Sequence, residues 1–305
     1  MSETTHTGIS RRAFSAALAA AAGGAFLAPG PLLRAARAQG QEALAIRVVA
    51  PGVSVITGRG GNSLVAAGDG GSVLIDSKLP DTGPALRVMA ENVGVPLGAV
   101  INTHHHGDHT GGNPAFTPDV PVHAHPACAE RVRAQVAGRG DDPKPFLPTR
   151  EAGPDTTLTV AGVTAELRHA GAGHTDNDLY VFLPEQNVLH TGDLVFHNMH
   201  PFIDRPAGAT TEGWIRSCEA MLELCDDQTV VIPGHGEVGG EDAIERQIRY
   251  FEAVRGAIGE IVDAGGPRAD AGRVRLTLFE GMGFERLRAR AMEAVYDEML
   301  EAKGG

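Results

Sequence analysis

Residues Ile101 to Asn113 read Ile-Asn-Thr-His-His-His-Gly-Asp-His-Thr-Gly-Gly-Asn, and the rest of the chain is organised around them. Four of the chain's 13 histidines and one aspartate fall within six positions. A solvated His-rich tract that binds metal loosely has a similar composition. The context points instead to a built site. Gly98 to Asn102 is a short apolar strand candidate, and Gly107, Gly111 and Gly112 let the backbone turn tightly so that neighbouring side chains converge. In an extended turn His104 and His106 point the same way, while Asp108 and His109 follow the bend and can face a second position. Neutral imidazole and carboxylate are the ligands zinc prefers among nitrogen and oxygen donors.

Three later turns belong with this tract. His174 lies in Gly171-Ala172-Gly173-His174-Thr175, Asp193 in Thr191-Gly192-Asp193 and His235 in Pro233-Gly234-His235-Gly236. Each follows a β-prone run, and strand ends in a layered α/β domain are where sites collect. One such residue alone is ordinarily a turn residue. Three of them, together with a His-x-His-x-Asp-His tract, need a common reason.

Around these turns the pattern is that of alternating strands and helices. Ala45 to Ala50, Val53 to Thr57, Ser63 to Ala67 and Ser72 to Ile75 are β-prone runs separated by glycine-rich turns. Asp76 ends the last of them, either as a turn residue or as an outer support for a ligand histidine. Asp81 is placed to cap a helix carrying Leu86, Met89, Ala90 and Val93. Val120 to Ala124 reads as a strand and Pro126 as the start of a helix ended by Gly138. Residues 138–153, stiffened by three prolines and tipped by Phe146-Leu147, form either a surface loop or a lid. A second strand group covers Leu158 to Val160, Val163 to His169, Leu179 to Leu183 and Val188 to His190. Thr211 then opens a helix with Trp214, Cys218, Met221, Leu222 and Cys225 on one face, and Thr229 to Ile232 is an apolar strand. Helices follow from about 241, with Ile244, Ile248, Phe251, Ile258 and Ile261 on an inner face, a break at Gly265-Gly266-Pro267, and a last helix from Phe284 to Ala302. Charge pairs such as Glu285-Arg286 and Glu293-Asp297 read as solvated faces.

Composition bounds the function. Ser10-Arg11-Arg12-Ala13-Phe14 precedes an apolar run ending at Leu27, and Ala36-Arg37-Ala38 offers small residues for cleavage, which resembles a twin-arginine signal peptide over residues 1–38. The expected mature chain, residues 39–305, suits one large domain. It would be handled by the twin-arginine export machinery and be periplasmic. The chain carries a net charge of -12, and removing the signal takes away four arginines and one acid, so the remainder is more acidic still. Such a chain binds phosphate backbones poorly, so no nucleic-acid partner is expected; a small-molecule substrate is. Cys128, Cys218 and Cys225 are read as core residues with no disulfide framework, and no stretch of the mature chain is long and apolar enough for a membrane span.

With these residues in hand, the sequence resembles the metallo-β-lactamase superfamily over nearly all of the expected mature chain, with five motif regions in the family's order. The resemblance implies an α/β fold, a four-layer αββα sandwich with metals held at one edge between the sheets. By motif position it makes His104, His106 and His174 the ligands of a first metal and Asp108, His109 and His235 those of a second. Asp193 would bridge them, Asp108 would also orient the nucleophile, and His105 would be a neighbour. Two Zn2+ sharing a hydroxide would make the protein a metallohydrolase that attacks a thioester, ester, lactone or amide. The β-lactamases of the superfamily carry Cys or Ser where this chain has Asp193, whereas the aspartate is the pattern of glyoxalase II, whose C-terminal glutathione-binding residues find no match here. Residues 192–214, with His197, His200, Pro201, Phe202 and Asp204, are similar to exported relatives associated with sulfur oxidation and quinoprotein systems; they form either a connecting loop or a substrate wall. The alternatives are an iron-dependent persulfide dioxygenase holding one Fe2+, a metallo-β-lactamase, and a metal-binding accessory protein without turnover.

Overall fold

The computed structural model describes residues 43–304 apart from Pro118, and the signal expected at residues 1–38 lies outside them. From Leu44 onward the chain is one compact unit. The glycine-punctuated runs become β1 (Ala45–Ala50), β2 (Val53–Thr57), β3 (Ser63–Gly68) and β4 (Gly71–Ile75), paired antiparallel in chain order. Crossovers through α1 (Gly83–Val93), α2 (Gly107–Thr110) and α3 (Pro126–Ala137) then add β5 (Leu97–Ile101), β6 (Val122–Ala124) and β7 (Arg150–Glu151) in parallel. The second sheet has the order β12-β11-β10-β9-β8. It is built from β8 (Thr156–Val160), β9 (Val163–Arg168), β10 (Tyr180–Leu183), β11 (Val188–Phe196) and β12 (Val230–His235). The β11–β12 pair is parallel because α4 (Thr211–Leu222) makes the crossover, and α5 (Glu241–Asp263), α6 (Arg268–Ala271) and α7 (Glu285–Gly304) follow.

The two-residue period of the strands sorts their side chains between layers. Leu64, Ile75 and Ile101 of the first sheet meet Leu167, Val181 and Ile232 of the second. The alternate residues Val65, Leu74 and Val100 lie under Leu86 and Ala90 of α1. On the other side Leu189, Val195 and Val231 pack beneath Trp214, Ile244, Phe251 and Val295 of the second helical layer. Each such large apolar side chain contributes about 1.5–3 kcal/mol when taken from water, so three stacked interfaces hold the layers together. The result is the four-layer αββα sandwich.

Several local expectations are corrected. Asp81 does not cap α1: a 3-10 turn over Pro80–Thr82 intervenes, the helix has no side-chain cap, and Asp81 pairs with Arg59. Thr191-Gly192-Asp193 is not a turn beyond a strand. Parallel pairing with β12 carries β11 through it to Phe196, with register shifts on either side of Gly192. Cys225 lies beyond the end of α4, and all three cysteines are free. In residues 138–153, open between loop and lid, Phe146 and Leu147 pack against the buried face of α3 and the Phe146 carbonyl accepts from Asn113, so the apolar tip is docked on the fold. Glu285 is more than a solvated charge, because it faces the buried His200 ring at 3.3 Å.

Candidate metal centre

The C-terminal ends of the parallel strands converge on one edge of the sandwich. β4 delivers Asp76 and β5 delivers Thr103 and His104, while the single turn of α2 carries Asp108 and His109. From the second sheet come His174 in the β9–β10 connection, Asp193 within β11 and His235 as the last residue of β12. Gly192 adopts φ +51°, and its Cα lies so close to Thr103 that a Cβ would sit 2.7 Å from that side chain. The bulged strand thereby aims Asp193 between the sheets.

Two groups of donors result. His104, His106, His174 and Asp193 form one, and Asp108, His109 and His235 form the other. In the first, His106 Nδ1 lies 3.1 Å from His104 Nε2 and 2.9 Å from His174 Nε2. Asp193 stands between the groups: Oδ1 is 3.0 Å from His109 Nε2, and Oδ2 is 3.4 Å from His174 Nε2 and 3.5 Å from His235 Nε2. His104, His109, His174 and Asp193 are buried, whereas Asp108 and His235 open onto solvent.

The outer faces of the rings are held as well. Asp76 Oδ2 lies 2.7 Å from His109 Nδ1 and accepts from Thr103 Oγ1, which is 3.0 Å from His104 Nδ1. Asp76 is therefore an outer support rather than a plain turn residue. The Phe202 carbonyl takes His174 Nδ1 at 2.9 Å, and Asp204 Oδ2 takes His106 Nε2 at 2.8 Å. His105, His106 and Asp204 could themselves be read as a third donor group. The bond to Asp204 uses the nitrogen that His106 turns away from His104 and His174, so the geometry favours an orienting role for Asp204. His105 Nδ1 is taken by Asn177, as befits a neighbour.

Electrostatics divide the two groups. Burial, reinforced by His109, holds His104 well below the ordinary histidine range, and burial pushes His174 down to about 3. Burial also opposes charge on His109 and His235. There the carboxylates of Asp193 and Asp108, with Asp76 for His109, outweigh it and raise His109 well above its usual value and His235 to about 9. Burial disfavours the Asp193 and Asp108 carboxylates too, yet the surrounding histidines keep both below the usual range.

The donor set fits divalent cations. With His104 Nδ1 held by Thr103, His174 Nδ1 by the Phe202 carbonyl and His106 Nε2 by Asp204, the neutral rings turn three lone pairs toward one point, with no proton there to share. Asp193 Oδ1 and His109 Nε2 are buried 3.0 Å apart, yet neither meets hydrogen-bonding geometry with the other or with any further partner, a state that a cation between them would relieve. Imidazole nitrogens and carboxylates around two points are a borderline dication's ligands.

The family model of the metallo-beta-lactamase superfamily matches residues 56–235, a span that starts in β2 and ends on His235. The chain belongs to that superfamily. Its members are mostly metal-dependent hydrolases, and they bind metal ions, typically zinc. One curated relative, the Bacillus cereus "Metallo-beta-lactamase type 2", is 28% identical over 180 residues, 58% of this chain and 68% of its own length. A "Hydroxyacylglutathione hydrolase" from a Synechococcus species is 32% identical over 133 residues, 41% of this chain and 47% of its own. Among solved structures, a metallo-beta-lactamase from Pontibacter korlensis superposes with a TM-score of 0.59 at 24% identity, covering 69% of this chain and 99% of that one.

In this metallo-β-lactamase superfamily protein the donors lie at the foot of a cleft of about 450 Å3, into which His106, Asp108, Asp193 and His235 face. Phe196 and Phe202 form part of its wall, so residues 192–214 are more than a connection. Sequence reasoning missed Asn62, whose side chain donates to the Pro233 and Gly236 carbonyls and holds the His235 turn, although Asn62 follows a glycine run that marked it as a turn. It also missed Arg139, Phe284, Arg286 and Leu287 on the cleft wall. No local pattern announces these four; they meet only across the fold.

Proposed function

We propose that the protein is an exported metallohydrolase loaded with two zinc ions, which cleaves an acyl-type bond: a thioester, ester, lactone or amide. The observation that carries this reading is Asp193, one buried carboxylate facing both donor groups at the foot of an open cleft. His104, His106 and His174 would hold the first ion, Asp108, His109 and His235 the second, and Asp193 both. Ions held there supply Lewis acidity and a nucleophile at neutral pH.

The chain's own groups do the rest. Asp108 is kept ionised and partly open to the cleft, so it accepts a hydrogen bond from a water there and orients it for attack. Asp204, Asp76, Thr103 and the Phe202 carbonyl fix the rings, which keeps the donors preorganised. The relatives, β-lactamases and a hydroxyacylglutathione hydrolase among them, support a hydrolase, and by the resemblance drawn from the sequence Asp at 193 favours an acyl hydrolase over a dedicated β-lactamase.

Protein purified from the periplasm should contain about two zinc ions per chain and hydrolyse at least one member of a panel of thioesters, lactones, aryl esters and β-lactams, with activity lost on chelation and restored by zinc. One iron, with oxygen consumed on a persulfide, would establish a dioxygenase instead. β-Lactam turnover near that of a dedicated lactamase would reverse the ranking.

The export route rests on Arg11 and Arg12 in a twin-arginine-like signal over residues 1–38, with 39–305 as the mature hydrolase domain. Replacing both arginines by lysine should retain the precursor in the cytoplasm, because the receptor reads paired guanidinium groups. Normal export of that variant refutes the route.

A further inference from the structure

One wall of the cleft comes from outside the region that the family model matches. That match ends at His235, yet Phe284, Arg286 and Leu287, at the start of α7, line the cleft together with Leu79 and Gln135. The segment is pinned in place: Gly283 N donates to the Asn198 carbonyl at 2.8 Å and His200 N to the Gly283 carbonyl at 2.9 Å. Phe284 is set in the left-handed region at φ +56°, with its ring 5.4 Å from the His235 ring and 6.5 Å from that of Phe196. The C-terminal helices thus bring an apolar surface directly against the donor group of His235.

Two guanidinium groups stand on the same cleft. Arg286 lies over the Phe284 ring at 5.3 Å, and Arg139 enters from just beyond α3, close to Gly107. Neither has a carboxylate partner within 4.0 Å among the described residues; Arg255, Arg268 and Arg288 of the C-terminal helices are paired, and Arg246 and Arg290, which are not, lie over Phe279 and Phe202 and do not line the cleft. A cation left free beside an apolar wall in an acidic protein is available to an incoming anion. The volume suits a small molecule rather than a polymer.

We propose that Arg139 and Arg286 read an anionic group, carboxylate or phosphate, on a substrate whose body is apolar and packs on Phe196, Phe202 and Phe284. Residues 284–287, which supply one of the two guanidinium groups and part of the apolar wall, lie beyond the span that the family model matches. The proposal names the substrate class of the hydrolase reading above and rests on it for turnover; the anion selection itself is measured separately, by binding.

The probes are 5-phenylpentanoate, 4-phenylbutyl phosphate and neutral 5-phenylpentanamide, titrated into the zinc-loaded full chain by calorimetry. At least one anion should bind ten-fold or more tightly than the amide, and the tighter of the two identifies the group read. Arg286→Ala and Arg139→Ala should each cut that preference several-fold, and Arg286→Lys should restore part of it. Thermal melting of each variant reports folding, and Arg286→Lys keeps the test open if an alanine variant melts early. A preference that survives in both alanine variants means that the anion sits on the metals and overturns the proposal, as does an amide that binds as well as the anions. In kinetics, Arg286→Ala should raise KM for phenyl glutarate relative to neutral phenyl pentanoate, and an unchanged ratio counts against the proposal. Arginine-dependent anion binding with no ester, thioester, lactone or amide hydrolysed would sink the hydrolase reading and leave the anion site standing.

Discussion

Asp76 and His109 form a buried pair, with Oδ2 2.7 Å from Nδ1, and the opposite nitrogen of that ring faces Asp193 at 3.0 Å. The same carboxylate reaches His104 through Thr103 Oγ1. One residue outside both donor groups thus orients a ring in each. Asp76→Ala should weaken zinc binding at the second group by about 10–100-fold and perturb the first, whereas Thr103→Val should affect the first alone. Competition with a chromophoric chelator separates the two affinities. Unchanged affinities in Asp76→Ala would leave Asp76 with only a turn role.

Asp193→Asn removes a negative charge that faces both donor groups. The second group, with two imidazoles against three in the first, should lose its ion, while the first stays filled and the fold intact. Turnover should fall by orders of magnitude. Mass spectrometry of metal content beside hydrolytic rate is the check, and two tightly held ions with normal turnover would remove Asp193 from the centre.

Gly234 touches the centre without donating to it. A Cβ there would lie 2.0 Å from Asp193 Oδ1 and 2.7 Å from the Gly192 backbone, which cannot give way easily. At Gly61 a Cβ would meet the His109 ring at 2.2 Å. Either glycine-to-alanine change should displace a donor and reduce turnover about 100-fold with every donor still present. Wild-type rates in both variants would show that the close approach is relieved at no functional cost.

The two donor groups should bind zinc with different pH dependence in the metal-free protein. His174, pushed down to about 3, and His104, well below its usual value, are already neutral across the range where zinc is soluble, so these two rings give up no proton to the first ion. His235, raised to about 9, and His109, raised well above its usual value, are protonated there and must release protons to bind. Affinity at the second group should therefore rise with pH up to about 9, roughly tenfold per unit for each proton released, and more steeply than at the first. Proton release in weak buffer measures it directly: fewer protons for the first equivalent of zinc than for the second, which should release at least one. Equal release for both equivalents contradicts the assignment.

The sequence by itself determined most of the strands, their glycine turns and the crowding of His104, His106, Asp108 and His109 in one tract, because these are local. Periodicity of two separates faces of a strand, and a His-x-His-x-Asp-His tract crowds donors whatever surrounds it. It misread Thr191-Gly192-Asp193 as a turn, because continuation of β11 depends on β12, some 40 residues further on, offering parallel partners on either side of a bulge. It left Asp76 open between two roles, because the choice depended on where His109 would fold back to meet it. Only tertiary structure decided that Asp204 orients His106, that Gly234 must lack a side chain, and that residues 284–287 reach the cleft. Each of these is a contact between segments distant in the chain, set by how the layers pack rather than by any pattern within one of them.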